Sequence, residues 1–253
     1  MYDSIADDYD RFVDWSARLA AELPLLEWQL ASVGAHGVLD AACGTGRHAV
    51  ELARRGFVLS AADPSAGMIG RAKANAAAAN AAIRFERAGF GELAPVFGTS
   101  AFDAVLCLGN SLPHVQGSSD LAAALDDFAA CLKPGGLLIL QNRNFDRVLA
   151  RQDRWIEPQG RTEDGREWLF VRFYDFDSDG SIVFHMLTLT REYGVGWSQK
   201  VSSTRLWPLG EAYLTDALRQ AGYIIVHEFG GASGEPFDGN DSPDLILVAR
   251  KES

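Results

Sequence analysis

The sequence predicts an α/β protein with a mostly parallel seven-stranded sheet, helices on both faces of that sheet, and an inserted antiparallel β cap. Two observations lead to this prediction. Short apolar segments alternate with helical ones over residues 1–150, and the alternation returns over residues 209–253. Between them, residues 151–208 show long strand-like patterns separated by glycine-containing turns. We therefore expect an α/β domain formed by the two outer ranges and a cap formed by the middle one.

Hydrophobic spacing in the first range predicts the alternating elements in order. The first helix, residues 15–33, carries a leucine stripe, and Pro24 is expected to kink it. The predicted strands are apolar throughout, as strands covered on both faces should be, which indicates a parallel sheet with right-handed crossovers. These strands cover residues 37–40, 57–62, 83–86, 102–107 and 137–141, and the other helices cover residues 47–55, a segment from Ser65, and residues 119–132.

The cap has a different pattern. Its glycine-containing connections are typical of antiparallel hairpins, and they separate three predicted strands over residues 167–176, 181–193 and 198–207. The sequence then returns to a helix over residues 211–220, which Gly222 ends. Two closing strands, residues 223–229 and 244–249, bring the main sheet to seven.

Composition and charge exclude several classes of function. The chain has 253 residues, with 34 acidic against 23 basic side chains and a formal charge of −11, and no basic stripe that would bind nucleic-acid phosphates. No apolar run approaches the ~18 residues of a membrane-spanning helix, and the acidic N-terminus does not resemble a secretory signal. Three widely spaced cysteines and scattered histidines indicate neither a disulfide framework nor a metal site. We expect a cytoplasmic monomer or homo-oligomer whose partner is a small molecule.

The most informative segment is a glycine turn between a strand and a helix, Asp40-Ala-Ala-Cys-Gly-Thr-Gly46. Glycine permits the tight turn and lets a ligand approach the backbone, but Ala49 stands where a dinucleotide-binding fingerprint continues to a third glycine. Asp40, at the carboxyl end of its strand, is badly placed for a pyrophosphate and well placed for an ammonium group. Asp63 ends the next strand, where a carboxylate can bind a ribose diol. The alternative is that both aspartates only cap the helices that follow.

The glycine turn resembles the first motif of class I S-adenosylmethionine (SAM)-dependent methyltransferases, and Ala62-Asp63-Pro-Ser-Ala-Gly-Met68 resembles the second. The turn Leu132-Lys-Pro-Gly-Gly136 is similar to the one before the fifth strand of that family. The resemblance implies a Rossmann-like fold, SAM as the donor and S-adenosylhomocysteine as the product. It also implies donor contacts from Ala42, Gly44 and Gly46, from Asp63 at the ribose, and from Met68 at the adenine.

The segment after the third strand, Arg87-Ala-Gly-Phe-Gly91, departs from the commonest pattern of this family. Many members place an acid at the position of Gly89, where it bonds the adenine amino group. With glycine at that position, the resemblance implies that the backbone of Ala88 and Gly89 contacts the adenine instead. Packing by Phe90 is expected to hold the ring in place.

A narrower resemblance, to glycine and glycine/sarcosine N-methyltransferases, rests on the segments 102–114 and 134–146. By that resemblance Arg143 holds the carboxylate of the acceptor, Asn110 meets its amine, and Leu108 and His114 line the donor site. An arginine fork also suits a carboxylate on physical grounds. Both segments follow neighbouring central strands, where open α/β sheets bind ligands.

Each of these side chains also has a purely structural alternative. Asn110 and the following serine can be turn formers, His114 can be packed in a loop, and Arg143 can pair with an acid such as Asp146. The N-terminal segment, with Tyr2, Tyr9 and Arg18, is similar to a region that folds over the donor in this family. Arg18 is then the natural partner of the donor's carboxylate, or else it forms a surface ion pair.

The predicted function is N-methylation of a small amine or amino acid by SAM. We expect a direct displacement in which alignment and exclusion of water matter more than a strong base. In the cap, where the glycine enzymes of the family present tyrosines, this sequence offers Trp168, Tyr174 and Arg191. The alternatives are O-methylation of a hydroxyl or carboxylate on a larger molecule, and a non-catalytic SAM- or nucleotide-binding protein.

Overall fold

A computed structural model describes residues 2–192 and 194–252, without the side chains of residues 2, 4 and 7. The expected role of the Tyr2 side chain and the predicted strand end at Tyr193 therefore lie outside the described residues. The helices are α1 (Tyr2–Phe12), α2 (Trp15–Ser32), α3 (Arg47–Arg54), α4 (Ala66–Ala78), α5 (Leu93–Phe97), α6 (Ser118–Cys131), α7 (Phe145–Arg151) and α8 (Glu211–Gln220). The strands are β1 (Gly37–Asp40), β2 (Val58–Ala62), β3 (Ile83–Glu86), β4 (Phe102–Cys107), β5 (Leu132–Arg143), β6 (Trp155–Glu163), β7 (Arg166–Phe176), β8 (Ile182–Glu192), β9 (Gly196–Leu206), β10 (Tyr223–Phe229) and β11 (Asp244–Lys251).

Seven strands of the described chain form one sheet in the order β10-β11-β5-β4-β1-β2-β3. Strands β1 to β5 run parallel, and β11 is antiparallel to both of its neighbours. The chain moves outward from β1 to β3 and then returns to β4 on the other side of β1. The carboxyl ends of β1 and β4 therefore form a topological switch point, the place where open α/β sheets bind ligands. The predicted fold class is confirmed.

Helices cover both faces of this sheet, as the apolar strands predicted. On β5, Leu138 belongs to one buried cluster together with Phe128 of α6 and Leu214 of α8. Its neighbour Ile139 belongs to the cluster on the opposite face, together with Leu30 of α2. Successive residues of a strand point to opposite faces, so a strand that is apolar at every position is buried on both sides. No helix of the described chain is long and apolar enough to cross a membrane.

Helix α1 lies against the carboxyl edge of the sheet and is held there by polar bonds. The Asp10 carboxylate accepts hydrogen bonds from Thr45 Oγ1 at 2.6 Å and from Arg47 Nη2 at 2.7 Å. In the first turn of α1, the Asp3 carboxylate accepts a bond from Ser65 Oγ at 2.6 Å. Like the short helices α5 and α7, α1 was not predicted from the sequence. These bonds tie it to the loops that follow β1 and β2.

The cap is a four-stranded antiparallel sheet in the order β6-β7-β8-β9. The sequence predicted three strands there, and that number was wrong because β6 was missed. Strand β6 lies at the edge of the sheet and its residues are almost all exposed, so it shows no apolar alternation. The predicted start of the fifth strand of the main sheet was also wrong, since the predicted turn at residues 133–136 is part of β5.

The inner face of the cap packs on the main body of the protein. Tyr174 of β7 shares a buried cluster with Phe145 of α7, and Met186 of β8 shares another with Ile5 of α1 and with Met68. Strand β8 pairs along its whole length with both β7 and β9. The cap therefore stands over the edge of the main sheet at which β1, β4 and β5 end.

Candidate active site

The loop after β1 is shaped by two glycines with left-handed backbone conformations, Gly44 at φ +53° and Gly46 at φ +74°. A Cβ on Gly46 would lie 2.9 Å from Ala72 Cβ, whereas a Cβ on Gly44 would have Tyr9 as its nearest neighbour at 4.0 Å. Gly46 is therefore required by the close packing of the loop on α4. Gly44 instead leaves open space next to Tyr9.

Two carboxyl groups stand at the ends of the neighbouring strands β1 and β2. Asp63 is 8% exposed, and its carboxylate accepts hydrogen bonds from the backbone N–H groups of Gly44 at 3.0 Å and Ser65 at 2.9 Å. Asp40 is 2% exposed, and its Oδ2 has no hydrogen-bond partner among the described residues. Burial, followed by the negative charge of Asp63, raises the pKa of Asp40 to about 7. The N-caps of α3 and α4 are Gly46 and Ser65, so neither aspartate is a helix cap.

A cavity of about 440 Å³ opens beside these loops. Its lining combines two carboxylates, those of Asp63 and Asp120, with mostly apolar groups, and of the predicted residues it includes Tyr9, Ala42, Gly44, Asp63, Met68, Phe90 and His114. A recess of about 30 Å³ adjoins it and is lined by Asp40, Arg18, Leu108 and others. We call these two spaces together the donor cavity. Most of the residues predicted to bind the donor are therefore brought together.

Three predicted donor residues do not line the donor cavity. Gly46 packs on α4, and Ala88 is 2% exposed within the apolar core. The backbone N–H of Gly89 donates a hydrogen bond to Glu92 Oε2 at 2.8 Å, so this amide is already occupied. Phe90 reaches the donor cavity and packs edge-on against Phe128, with ring centroids 5.4 Å apart. Of this segment, Phe90 is the predicted residue that lines the donor cavity, and its contact with the adenine stays a prediction.

Arg18 belongs to a network that joins α2 to the sheet. Its Nε donates to both carboxylate oxygens of Glu22 at 3.1 Å, and its Nη2 donates to Gln141 Oε1 at 3.4 Å. Glu22 also pairs with His48. Burial on its own would raise the pKa of Glu22, but the His48 bond and the Arg18 charge lower it to about 2. Because Arg18 is half-buried and lines the donor cavity, its ion pair is not a surface feature.

A second cavity, of about 520 Å³, lies between the end of β5 and the cap, and we call it the acceptor cavity. Asn110 stands at its wall with φ +65°, a conformation that is uncommon for a residue other than glycine. The Asn110 backbone N–H donates to Gln141 O at 3.0 Å, and Asn110 Oδ1 accepts from the Arg143 N–H at 3.0 Å. Asn110 therefore bridges the ends of β4 and β5 and fixes the backbone from which Arg143 projects.

Arg143 has an acidic partner, but not the one suggested by sequence. Its Nη1 donates to Asp244 Oδ1 at 3.3 Å, while Asp146 instead accepts a bond from the Glu211 backbone N–H at 2.8 Å. The Arg143–Asp244 bond is long for an ion pair and involves a single nitrogen. Burial raises the pKa of Asp244. The other N–H groups of the Arg143 guanidinium can therefore donate hydrogen bonds to a ligand in the acceptor cavity.

Of the three cap residues singled out by sequence, only Tyr174 lines the acceptor cavity. Trp168 is buried beneath the Arg11 guanidinium, which lies 4.8 Å from its ring centroid. Arg191 is exposed, pairs with Glu167 at 2.7 Å and stacks over Trp197. The other two predicted cap positions are thus occupied by structural contacts.

The residues of the acceptor cavity that sequence reasoning missed include Asn142 and Arg172. Asn142 stands at the end of a strand that was expected to stop at residue 141. The position of Arg172 could have been predicted from the periodicity of its strand, because residues two apart in a strand share a face. Trp168 and Tyr174, which have the same parity, are both buried. That parity places Arg172 on the same inner face of the cap.

The donor and acceptor cavities share the residues Tyr9, Arg18, Gly109 and His114. Burial lowers the pKa of His114 to about 4, so its imidazole is neutral at pH 7. Burial raises the pKa of Tyr9, which keeps the phenol protonated. Two ligands can therefore meet at a junction where Tyr9 and His114 are uncharged and the charge of Arg18 is paired with Glu22.

Comparison with known proteins finds one family model, two curated relatives and one solved structure that are informative. A family model described as a methyltransferase domain matches residues 38–136. The chain is 36% identical, over 99% of its length and 84% of the relative's, to the glycine/sarcosine N-methyltransferase of Parasynechococcus marenigrum (strain WH8102). It is also 36% identical to the glycine/sarcosine N-methyltransferase of Halorhodospira halochloris, over 76% of this chain and 74% of that one. The crystal structure of a SAM-dependent methyltransferase from Clostridium acetobutylicum ATCC 824 superposes with a TM-score of 0.80 at 16% identity, covering 100% of this chain and 99% of that one.

Proposed function

The chain belongs to the class I SAM-dependent methyltransferases, and from this membership we propose that it methylates the amino nitrogen of a small amino acid such as glycine or sarcosine. The observation that carries the proposal is the junction at Tyr9, Gly109 and His114, where the two cavities meet. One cavity has the groups that suit SAM, and the other has an arginine and an asparagine that suit an amino acid. The names of the relatives support the same choice of acceptor.

The donor cavity fits SAM in its charge and its shape. Asp40 has an unpartnered carboxylate oxygen for the donor's ammonium group, and Arg18 lies in the same recess for its carboxylate. Asp63 would bind the ribose hydroxyls. The open space beside Gly44 accommodates a ligand next to the backbone.

The apolar part of the donor cavity supplies the remaining contacts. Met68 and Phe90 would hold the adenine, because both offer apolar surface in the cavity that Asp63 lines. Ala42, Leu108, Tyr9 and His114 would enclose the rest of the donor.

When bound, SAM supplies a methyl group on a sulfonium sulfur. The lone pair of a neutral amine would attack the methyl carbon, the carbon–sulfur bond would break, and S-adenosylhomocysteine would leave. The residues of the chain orient the acceptor and keep water away from the junction. Arg143 would hold the acceptor's carboxylate, and Asn110 would place its amine. Glu22, with a pKa of about 2, is too weak a base to take a proton from an amine, so positioning accounts for the expected rate enhancement.

One observation favours a second candidate function, the O-methylation of a larger molecule. The acceptor cavity of about 520 Å³ lies within the range of roughly 300–1,000 Å³ that holds drug-sized ligands. An amino acid would fill only part of it. The phenol of Tyr174 and the ring of Phe184 would then select the acceptor by stacking.

Calorimetric titration with SAM and with NAD tests the donor. We expect SAM to bind and NAD not to bind, because Ala49 and Asp40 are unsuited to a pyrophosphate. Binding of NAD without binding of SAM would contradict SAM as the donor and methyl transfer as the function.

A mass-spectrometric screen tests the acceptor. Glycine, sarcosine, dimethylglycine, simple amines, phenols and carboxylic acids are incubated singly with the protein and SAM. We expect a mass gain of one methyl group on glycine or sarcosine. A methyl gain on a phenol or carboxylic acid, with none on any amine, would replace the proposed function by the second candidate.

A further inference from the structure

The Arg172 guanidinium projects from β7 into the acceptor cavity without an acidic partner among the described residues. Its Nε is buried and makes no hydrogen bond. The other two arginines of the cavity differ, since Arg18 pairs with Glu22 and Arg143 pairs with Asp244. Arg172 is therefore the cavity arginine for which the structure provides no counter-charge.

A half-buried cation without a partner is costly, and its surroundings compensate only in part. The guanidinium lies over the ring of Phe12, 5.3 Å from the centroid, which gives a cation–π contact. Burial and then the positive charge of Arg143 lower the pKa of Arg172. Both arginines line the acceptor cavity, so an anion bound between them would offset the repulsion of their two positive charges.

Asn142 provides an independent observation in the same cavity. It is 1% exposed, and neither its Nδ2 nor its Oδ1 has a hydrogen-bond partner among the described residues. Buried amides in folded proteins are almost always satisfied, so an unsatisfied one calls for a missing polar partner. Asn142 directly precedes Arg143 and lines the acceptor cavity.

The charges that line the acceptor cavity leave one positive charge uncompensated. The pairs Arg18–Glu22 and Arg143–Asp244 are each neutral overall, and the imidazole of His114 is neutral as well. Asp14 is exposed and its carboxylate caps α2. One positive charge, that of the half-buried Arg172, remains in the cavity without a counter-charge among the described residues. An amino acid with an ionised carboxylate and a neutral, reactive amine carries one negative charge and matches it.

We propose that Arg172 and Arg143 together hold the carboxylate of the acceptor between the cap and the main sheet, and that Arg172 makes the enzyme select anionic acceptors. The inference rests on the proposed function and assigns a specificity-determining residue to it. Arg143 comes from the end of β5 and Arg172 from β7, so the carboxylate would tie the two sheets together. Asn142 would donate from its Nδ2 to the same ligand.

Steady-state kinetics with glycine and glycinamide, which differ only in the charged carboxylate, tests this assignment. Arg172→Gln should raise the KM for glycine roughly 10- to 100-fold, as expected for a lost charged hydrogen bond, and leave the KM for glycinamide nearly unchanged. The preference for glycine over glycinamide should fall by the same factor. Arg172→Lys should restore part of it.

Arg191→Gln is the matched control, because Arg191 lies in the same sheet, pairs with Glu167 and does not line the acceptor cavity. It should keep the wild-type KM values. Thermal unfolding of each variant checks that the cap is folded. An Arg172→Gln variant that folds and keeps the wild-type preference for glycine would overturn the assignment.

An NMR titration with acetate separates this assignment from the proposed function, since it requires no turnover. If the wild-type chain methylates neither amine, the proposed function fails and the titration decides the anion site. Weak acetate binding by the wild-type chain that drops at least tenfold in Arg172→Gln supports the site. Equal binding by the two proteins overturns it.

Discussion

The donor and acceptor cavities are built in different ways. In the donor cavity the Asp63 carboxylate is fixed by two backbone N–H groups from the loops after β1 and β2. In the acceptor cavity the Asn142 amide and the Arg172 Nε have no partner among the described residues. The donor side is thus preorganised by backbone at Asp63 and has one unpartnered oxygen, Asp40 Oδ2, whereas the acceptor side has an amide and a guanidinium nitrogen that a ligand would satisfy. We therefore expect the residues that bind the donor to be set by local sequence, and those that select the acceptor to be set by tertiary packing.

The largest expected effect is the loss of donor binding in Asp63→Ala. We expect SAM affinity to fall at least about 100-fold, because the variant loses a charged contact to the ribose and also releases the Gly44 and Ser65 N–H groups. Isothermal titration calorimetry measures the change.

Asp103→Ala is the matched control for this variant. Asp103 also accepts two backbone N–H bonds, from His36 and Gly37, but at the opposite edge of the same sheet. It should cost stability and leave SAM affinity unchanged. Wild-type binding by Asp63→Ala would contradict the preorganised donor site.

The next effect separates the two glycines of the loop after β1. Gly46→Ala combines left-handed strain with a 2.9 Å approach to Ala72 Cβ, and we expect a loss of about 2–4 kcal/mol in the free energy of unfolding. Gly44→Ala carries only the strain, about 1–2 kcal/mol, but places a methyl group next to Tyr9 in the donor cavity. Denaturant unfolding and SAM titration should therefore rank the two variants in opposite orders. The same order in both measurements would show that the loop has a single role.

A smaller effect is the pH dependence of donor binding through Asp40. Its pKa of about 7 means that the carboxyl group is protonated in acid, whereas the donor's ammonium favours the carboxylate, so binding releases a proton. SAM affinity should therefore fall about tenfold for each pH unit below 7. It should fall again above about pH 8, where the donor's own α-amino group loses its proton.

Calorimetry between pH 5.5 and 8.5 follows this dependence, and Asp40→Asn is its control. The variant should bind more weakly and lose the acid limb of the profile, since the amide does not titrate. An acid limb that persists in Asp40→Asn would assign the proton to another group.

The smallest expected effect is on the cap. Tyr174→Phe removes one hydroxyl group from the acceptor cavity, and we expect the KM for the acceptor to rise about threefold, the size of one neutral hydrogen bond. Tyr223→Phe is the control, because it loses a buried bond to Leu125 O at 3.2 Å far from that cavity. It should lower stability without changing the KM. Equal kinetics for the two variants would show that the cap hydroxyl does not meet the acceptor.

The donor side could be predicted because its evidence is local. The strand, the glycine turn and the second aspartate lie within residues 37–63, and a β-α-β unit brings them together whatever the rest of the chain does. Even there, the role of Gly46 depended on a contact with Ala72 of another helix. The spacing of the two glycines could not distinguish the packing position from the open one.

The acceptor side could be predicted only in part because it is assembled over long range. Arg143 was found through the resemblance carried by the segment 134–146, but its partner Asp244 lies 101 residues away on an antiparallel neighbour. Arg172 depends on which face of β7 is turned inward, and one residue of register would reverse it. The edge strand β6 carries too little buried surface to show an apolar pattern.

The most direct test of the account is a single turnover with methyl-deuterated SAM and glycine or sarcosine, followed by tandem mass spectrometry of the product. The account predicts that one deuterated methyl group appears on the amino nitrogen for each S-adenosylhomocysteine formed. A deuterated methyl group on oxygen, or S-adenosylhomocysteine formed at the same rate without an acceptor, would contradict it.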